Sequence, residues 1–380
     1  MIGKLLFHTF VLIAAWTITS LPSSAQFSFH QGDRVLQFSG LVTTYYNHRF
    51  YDATTADRPK NRFALRDAQL EMRGWWGNKL SFKIKADFAD LASNVSTGDQ
   101  SGLMEATATL TPWLRGPEIK LGFDKPPFSR FAMVQSWDSP FFNRPEMDEG
   151  SFFPHRDIGV TLQQGFNADR VILYAGVYNG AGEAALGGDN ERAGTPEWMG
   201  RLEVNAPSKL RYSFMPLRND PKPLVSVAAN ARYTEKKTYG SDDYRLMTVD
   251  GVKLIYGIDG AAQWKHVQLA AEILQGRITP NDTLTVSGSG DTYYRAGGYA
   301  MQVSWYEPVT RLILAARYDW FNPHDLVKND IVRSLNGTIN WRIRDTQSFL
   351  KAEYMHRLPF KGTDAKWKDD DLRIGFQMMF

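Results

Sequence analysis

Lysine and arginine side chains recur at every second position in several segments of the chain. Lys83, Lys85 and Asp87 alternate with apolar residues, and Lys120 falls on the polar face of another alternating segment. A row of cations along one face favours small anions over cations, most strongly where a passage is narrow. Arginine also offers paired donors that match the oxygens of phosphate. These residue types indicate attraction of anions rather than covalent chemistry.

Several other kinds of chemistry are disfavoured. The chain has no cysteine, which excludes disulfides, thiolate metal sites and cysteine nucleophiles. No two histidines beyond residue 25 have the spacing of a helical metal site, and there is no Gly-x-Ser-x-Gly motif. We therefore expect no cofactor, no metal and no catalytic residue. Lys plus Arg number 44 and Asp plus Glu 41, a near balance that argues against a nucleic-acid partner.

Residues 1–25 have the pattern of a secretory signal peptide. Lys4 precedes a short apolar run, and Ser23 and Ala25 supply small residues at the −3 and −1 positions. The apolar run is too short for a helical membrane span, which needs roughly 20 residues. We expect cleavage after Ala25, which leaves 380 − 25 = 355 residues, 26–380, as one domain.

Beyond the signal peptide the chain alternates between apolar and polar residues over long stretches. Side chains of a strand point alternately to opposite faces, so each stretch predicts a strand with one apolar and one polar face. The stretches run for roughly 10–13 residues, which suits a strand crossing a bilayer (~9–11 residues) better than a globular strand (~5–6). The fold class predicted is all-β, a transmembrane antiparallel β-barrel with a polar lumen.

Sixteen segments carry the alternation, and their connections differ in length. The segments are 34–47, 62–76, 80–90, 103–112, 117–125, 156–166, 169–178, 197–205, 222–234, 251–264, 267–276, 292–306, 310–321, 331–343, 347–357 and 370–380. Short and long connections alternate along the chain, and only 206–221 is long where a short turn is expected. Short periplasmic turns, long external loops and an even strand count are typical of an outer-membrane barrel with both termini in the periplasm.

The aromatic residues fit the same architecture. They make up 13% of a chain whose mean hydropathy is −0.37, an unusual combination for a soluble core. Trp76, Trp113, Trp264 and Trp305 lie beside predicted short turns, where the aromatic girdle of a barrel meets the membrane interface. The C-terminal Phe380 closes the last alternating segment, and this ending resembles the signal by which barrel-assembly machinery recognises its clients.

Five segments in a fixed order resemble the phosphate-selective porin O and P family. They are FALRDAQLEMRG at 63–74, LGFDKPPFS at 121–129, FNRP at 142–145, PHRDIGV at 154–160 and YAGVYNG at 174–180. The resemblance covers roughly residues 60–205, together with 311–319 and the last strand. It implies a trimeric porin of sixteen strands whose third loop, here 126–155, folds into the lumen and narrows it. It also implies a pore lined by arginines and lysines.

We expect seven cations to line the pore or its constriction, namely Arg66, Lys83, Lys85, Lys120, Lys125, Arg144 and Arg156. Arg66 matches the first of two adjacent arginines that the resemblance implies, but Asp67 stands at the second. Lys125, Arg144 and Arg156 flank or lie in the third loop, which places them at the constriction. Because Glu71 and Glu105 share the polar faces, opposite charges partly cancel. The prediction is a general or weakly anion-preferring porin.

The expected function is passive diffusion of small hydrophilic solutes, with a preference for phosphate or other small anions, and no enzymatic activity. Outer-membrane lipid, barrel-assembly machinery and two further copies of the chain are the expected partners. Two alternatives stay open. A barrel hydrolase would need Ser or Asp with a histidine at the external rim, where His48, His324 and His356 fall. An adhesin-like barrel would have a closed lumen, which the charged inward faces disfavour because buried charges must be paired.

Overall fold

The computed structural model describes most of the chain beyond the predicted signal peptide. The described residues are 27–50, 61–89, 102–113, 116–149, 152–153, 156–180, 196–235, 251–281, 292–327, 331–343, 347–358 and 370–380. The predicted signal peptide, residues 1–25, lies outside them. Among these residues no helix is both long and apolar enough to cross a membrane.

The described part of the chain is built from strands. They are β1 (Phe27–Gln31), β2 (Arg34–Phe50), β3 (Arg62–Trp76), β4 (Leu80–Asp87), β5 (Leu103–Leu110), β6 (Glu118–Asp124), β7 (Asp157–Phe166), β8 (Val171–Tyr178), β9 (Glu197–Ala206), β10 (Asp220–Thr234), β11 (Gly251–Lys265), β12 (Val267–Pro280), β13 (Tyr294–Glu307), β14 (Leu312–Asn322), β15 (Val332–Arg342), β16 (Phe349–Arg357) and β17 (Asp370–Met379). All sixteen predicted segments are strands, and β1 is an additional one.

Strands β2 to β17 form a closed antiparallel ring of sixteen. Each pairs with its neighbour in sequence, and β17 pairs with β2 from Met379↔Leu41 to Asp370↔Phe50. The predicted sixteen-strand barrel is confirmed. Strand β1 was not predicted; it pairs with the first residues of β2, from Arg34 to Phe38, where β17 no longer reaches. It thereby continues the line of β17 along the edge of β2.

The alternation in sequence becomes an outside and an inside. On β12, Val267, Leu269 and Ile273 are exposed on the outer surface, whereas Gln268 and Glu272 are buried on the inner one. Successive Cβ atoms of a strand point to opposite faces, so every apolar stripe of the sequence lies on the outer wall. An apolar outer band with a polar interior is the arrangement required of a barrel in lipid.

The connections follow the predicted alternation of length. Residues 77–79, His266 and 308–311 are short turns at one end of the barrel. The predicted exception is also confirmed, since β9 and β10 are joined by residues 207–219. This connection carries three buried apolar side chains, Leu210, Phe214 and Met215, and it packs inside the barrel.

Candidate functional site

The connection between β6 and β7 crosses the interior of the barrel. It contains a short helix α1 (Arg130–Met133), a 3₁₀ turn (Ser136–Asp138) and a second short helix α2 (Glu146–Glu149). Ser129 caps α1, because its Oγ accepts the backbone N–H of Ala132 at 3.1 Å. The same hydroxyl donates to Glu272 on β12 at 2.7 Å. The cap therefore joins the connection to the opposite wall.

Inward side chains of β14 and β16 hold the middle of this connection. Arg317 donates from Nη1 to the Asn143 carbonyl at 2.9 Å and from Nη2 to the Arg144 carbonyl at 3.0 Å. Lys351 donates from Nζ to the Ser139 carbonyl at 3.0 Å. These bonds satisfy loop carbonyls that a buried loop would otherwise leave without donors, a loss that costs free energy.

A buried ion-pair network on β9 to β12 holds the beginning of the connection. Arg201 donates to the Phe128 carbonyl at 3.0 Å, to Glu203 at 3.0 Å and to Asp259 at 3.0 Å through Nη2. Arg130 of α1 lies with its Nε 3.6 Å from Asp259. Both arginines are almost fully buried, and carboxylates compensate their charges.

The 207–219 connection meets the β6–β7 connection from the other end of the barrel. The Phe214 N–H donates to the Asp138 carbonyl at 2.8 Å, and the rings of Phe131 and Phe214 are 4.7 Å apart. Burial at this junction raises the pKa of the Asp138 carboxyl. The two connections together fill part of the lumen beside β8 to β13.

The opposite wall, made by β3 to β7, carries most of the predicted cations. Arg66 is at a β-bulge, because Thr43 pairs with Asp67 and Thr44 with Leu65, which leaves Arg66 between them. Strict alternation places Arg66 on the lipid side. The bulge instead brings it into a small cavity with Arg144 and Arg317, its Nη1 3.8 Å from Asp67.

Lys83 and Lys85 project inward from β4 as predicted. The Lys83 ammonium lies between two carboxylates, 3.7 Å from Glu71 and in direct contact with Glu105. Lys85 lies with its Nζ 4.3 Å from the centre of the Trp137 ring. The β6–β7 connection therefore reaches β4 on this wall as well as β14 and β16 on the other.

Lys125 and Arg156, at the two ends of the connection, come near Arg144 from its middle part. Burial lowers the pKa of Lys125 well below the ordinary lysine value, and the neighbouring charges of Arg144 and Arg156 lower it further. Burial and the charges of Arg156 and Arg66 also lower the pKa of Arg144, although Asp148, 3.5 Å away, opposes this. Burial is the larger cause of both shifts, and the like charges of the neighbouring cations add to it.

Six of the seven predicted cations thus share one region, and Lys120 is the exception. Its Nζ contacts Asp124 four residues along β6, and the side chain is one-third exposed. Phe380 is at the seam of the barrel, where its N–H donates to the Gly40 carbonyl at 2.9 Å and its ring covers the space above the Gly40 backbone. A Cβ at Gly40 would come within 2.4 Å of this ring, so any larger residue there would force the ring to move.

Sequence reasoning missed two cations that hold the connections, Arg130 and Lys351, and it missed Arg373, which pairs with Glu353 and Asp371 on the wall. Lys351 and Arg373 occupy polar-face positions of β16 and β17, so the alternation could have identified them. Arg130 follows a capping serine in a loop, and nothing in the sequence indicates that it meets Asp259. The histidines at the external end are also engaged: His324 stacks on Tyr294 at 3.8 Å, and His356 contacts Asp370 at 2.9 Å.

A family model described as phosphate-selective porin O and P matches residues 44–380. The chain belongs to this family. A comparison with curated proteins finds no match. The porin family confirms the resemblance seen in the sequence, and it makes the protein an outer-membrane channel for small solutes.

Solved porin structures share the fold over almost the whole chain. The anion-selective porin from Comamonas acidovorans is 11% identical, with a TM-score of 0.59, and the match covers 91% of this chain and 100% of that one. OmpF of Salmonella typhi, in a complex with daunomycin, is 12% identical with a TM-score of 0.59 and covers 93% and 100%. The outer membrane channel DcaP of Acinetobacter baumannii is 14% identical, with a TM-score of 0.58, covering 92% and 99%. At these identities the similarity is one of fold.

Proposed function

We propose that this porin prefers small anions, and that they pass between the β6–β7 connection and the wall made by β3 to β7. The observation that carries the proposal is the convergence of Arg66, Lys83, Lys85, Lys125, Arg144 and Arg156 in that region. Burial first, and the like charges of their neighbours second, lower the pKa values of Lys125 and Arg144, and an anion that enters compensates these charges. The anion selectivity of the Comamonas acidovorans porin agrees with this proposal.

The carboxylates of the same wall limit the strength of that preference. Glu71 and Glu105 both contact Lys83, Asp67 is near Arg66, and Asp148 pairs with Arg144. Charges that are already paired attract a passing ion weakly, because the field of each pair falls off within a screening length of ~8 Å. We therefore propose a moderate preference for anions in general, with phosphate as one of several permeant ions.

Ion selectivity of the refolded protein in a planar bilayer tests the proposal. The reversal potential under a KCl gradient should lie on the anion side, and added phosphate should reduce the chloride current. Arg144→Glu should move the reversal potential towards the cation side, because it reverses a charge at the proposed constriction. Lys222→Glu, which reverses an exposed cation near the start of β10, is the matched control and should leave the potential unchanged. A cation-side potential of the wild type contradicts the proposal.

We also propose export with removal of residues 1–25, assembly guided by Phe380, and a trimer embedded in outer-membrane lipid. The signal-peptide pattern supports the first, the position of Phe380 at the seam the second, and the family the third. Intact mass of the protein isolated from outer membranes should correspond to residues 26–380. Native mass spectrometry in mild detergent should show three chains, whereas a persistent monomer contradicts the trimer.

A further inference from the structure

Two arginines stand directly opposite each other on the outer surface of the barrel. Arg277 of β12 and Arg295 of β13 are register partners, and both side chains are exposed on the outer face. Like charges directly opposite on neighbouring strands destabilise a sheet. On a lipid-facing wall, an anion bound between two such arginines would reduce their repulsion.

The described residues provide an aromatic ring for these arginines and one nearby carboxylate, Asp325, which lines the same groove but forms no ion pair with either of them. The Arg277 guanidinium lies 4.1 Å from the centre of the Tyr293 ring, and that of Arg295 lies 5.8 Å from it. Arg295 also donates to the Tyr293 hydroxyl at 3.4 Å. The nearby Asp325 accepts the backbone N–H of Arg295 at 2.8 Å. Within the described ranges no carboxylate lies at ion-pair distance from either guanidinium.

The depth of the pair matches the headgroup level of the membrane. Just below it on the same surface are Tyr256, Tyr299 and Trp320, and the last two rings stack at 5.4 Å. An outward aromatic belt marks the interface between hydrocarbon and headgroups. Arg277 and Arg295 lie beyond this belt, close to the ends of β12 and β13 that carry the long connections. This is the end expected to face the exterior, so the guanidinium groups lie among the outer-leaflet headgroups.

A groove leads from the arginines into the hydrocarbon region. It has a volume of 580 Å³, and Gly297, between Arg295 and Tyr299, contributes no side chain to its lining. A Cβ at Gly297 would meet only the Leu274 carbonyl, at 3.6 Å. Below it is an apolar depression of 600 Å³ where Gly260, Ala271 and Ala316 provide little side-chain volume.

The two depressions together have the dimensions of a lipid molecule. Ala271 is six residues from Arg277, which is ~20 Å along the strand. With a strand tilt of ~45°, this is ~14 Å of depth, about one leaflet of a hydrocarbon core ~30 Å thick. The arginine pair, at the outer end of β12, therefore offers a site for a headgroup. The apolar depression lies about one leaflet deeper along the same part of the outer wall.

We propose that Arg277 and Arg295 together bind the phosphate of an anionic glycolipid of the outer leaflet, with an acyl chain in the groove at Gly297. The two guanidinium groups supply charge-assisted donors to the phosphate oxygens, and the phosphate removes their repulsion. Tyr293 holds both side chains towards the groove. The site rests on the location of the porin in the outer membrane and is independent of the ion preference of its lumen.

Native mass spectrometry of the refolded porin with diphosphoryl lipid A tests this site. The wild type should retain a single tightly bound lipid, and the double variant Arg277→Gln/Arg295→Gln should bind it at least about tenfold more weakly. Gly297→Leu keeps both charges but fills the groove, and it should weaken binding as well. Lys265→Gln, an exposed cation at the periplasmic end, should bind like the wild type. The reversal potential of the double variant should not change, which separates this site from the proposed pore.

Three results would overturn the proposal. The first is equal lipid A binding by the wild type and the double variant. The second is release of the lipid by inorganic phosphate alone, since this would mean a free-phosphate site without the groove. The third is cross-linking of Tyr293 or Arg295 to a second copy of the chain, because the groove would then be a subunit contact.

Discussion

The two walls of the lumen contain the same kinds of charged residue but partner them differently. On β9 to β14 the side chains of Arg201 and Arg317 are 0% and 1% exposed, and both donate to carboxylates and to loop carbonyls. At the β3 to β7 wall, Lys83 is 23% and Arg144 30% exposed, and their contacts are shared or long. The first wall uses its cations to hold the two inward connections. On the second wall Lys83 and Arg144 stay partly exposed, whereas Lys85 is buried against Trp137.

The difference shows that a charge on the inner face is not sufficient evidence for a pore-lining role. A buried arginine bound to two carboxylates and a carbonyl has no donor left for a solute. Removing it leaves the carboxylates buried without a counter-charge, which destabilises the protein. A half-exposed cation repelled by its neighbours gains free energy from any anion that approaches. The number and kind of partners therefore separate structural from functional cations.

The largest effect is expected from breaking the network on the structural wall. Arg201→Met leaves Asp259 and Glu203 buried without their main partner, and the free energy of unfolding should fall by about 3–5 kcal/mol. Urea unfolding in lipid vesicles, followed by tryptophan fluorescence, measures the loss. Adding Asp259→Asn to Arg201→Met should restore part of it, since one uncompensated charge is removed. An unchanged unfolding midpoint in Arg201→Met would contradict the assignment.

A smaller effect is expected from titrating the other wall. Because the pKa of Lys125 is lowered, its charge is present at acidic pH and is lost as pH rises, before the ordinary lysine value of about 10.4 is reached. Loss of one charge near the path is worth about 1 kcal/mol at 4 Å in water, or about fivefold in the anion-to-cation permeability ratio. Reversal potentials measured across this pH range should show the ratio falling.

The control for this titration is Lys125→Arg, which stays charged at every pH used. The contribution of Lys125 to the pH dependence of the permeability ratio is the difference between the wild type and this variant. If both proteins lose anion selectivity equally as pH rises, the charge of Lys125 does not contribute to that selectivity.

The smallest effect is expected at Lys120, the predicted pore residue that lies apart from the other six. Its ammonium is paired with Asp124 and partly exposed. Lys120→Met should change the free energy of unfolding by less than about 1 kcal/mol. It should also leave the reversal potential within error of the wild type, in contrast to Arg144→Glu. A shift as large as that of Arg144→Glu would place Lys120 in the ion path and remove the distinction.

The strands were predictable because their signal is local. The predicted bounds 62–76 are those of β3, and 251–264 differs from β11 by a single residue. Period-two alternation depends only on one apolar face and one polar face, which every membrane barrel strand must have. Strand β1 escaped prediction because it has only five residues, which is too short for the alternation of Phe27 and Phe29 with polar residues to be recognised.

The site was predictable only in part. Lys83 and Lys85 follow from alternation, but Arg66 violates it and reaches the lumen through a bulge in β3 that is visible only in the pairing with β2. The long 206–221 connection was recognised as irregular from its length. Its contact with Asp138 joins two loops far apart in the chain, and no local pattern indicates it.

The barrel, its strand count, its inner and outer faces and its family could be predicted from local periodicity and from ordered segments. The pairing and accessibility of individual cations depend instead on contacts between residues far apart in the chain. Arg201 and Asp259 are 58 residues apart, and Arg317 and Asn143 are 174 apart. Such pairs form when the ring closes and the connections fold inward. The charge available to a passing ion is what remains after this long-range pairing.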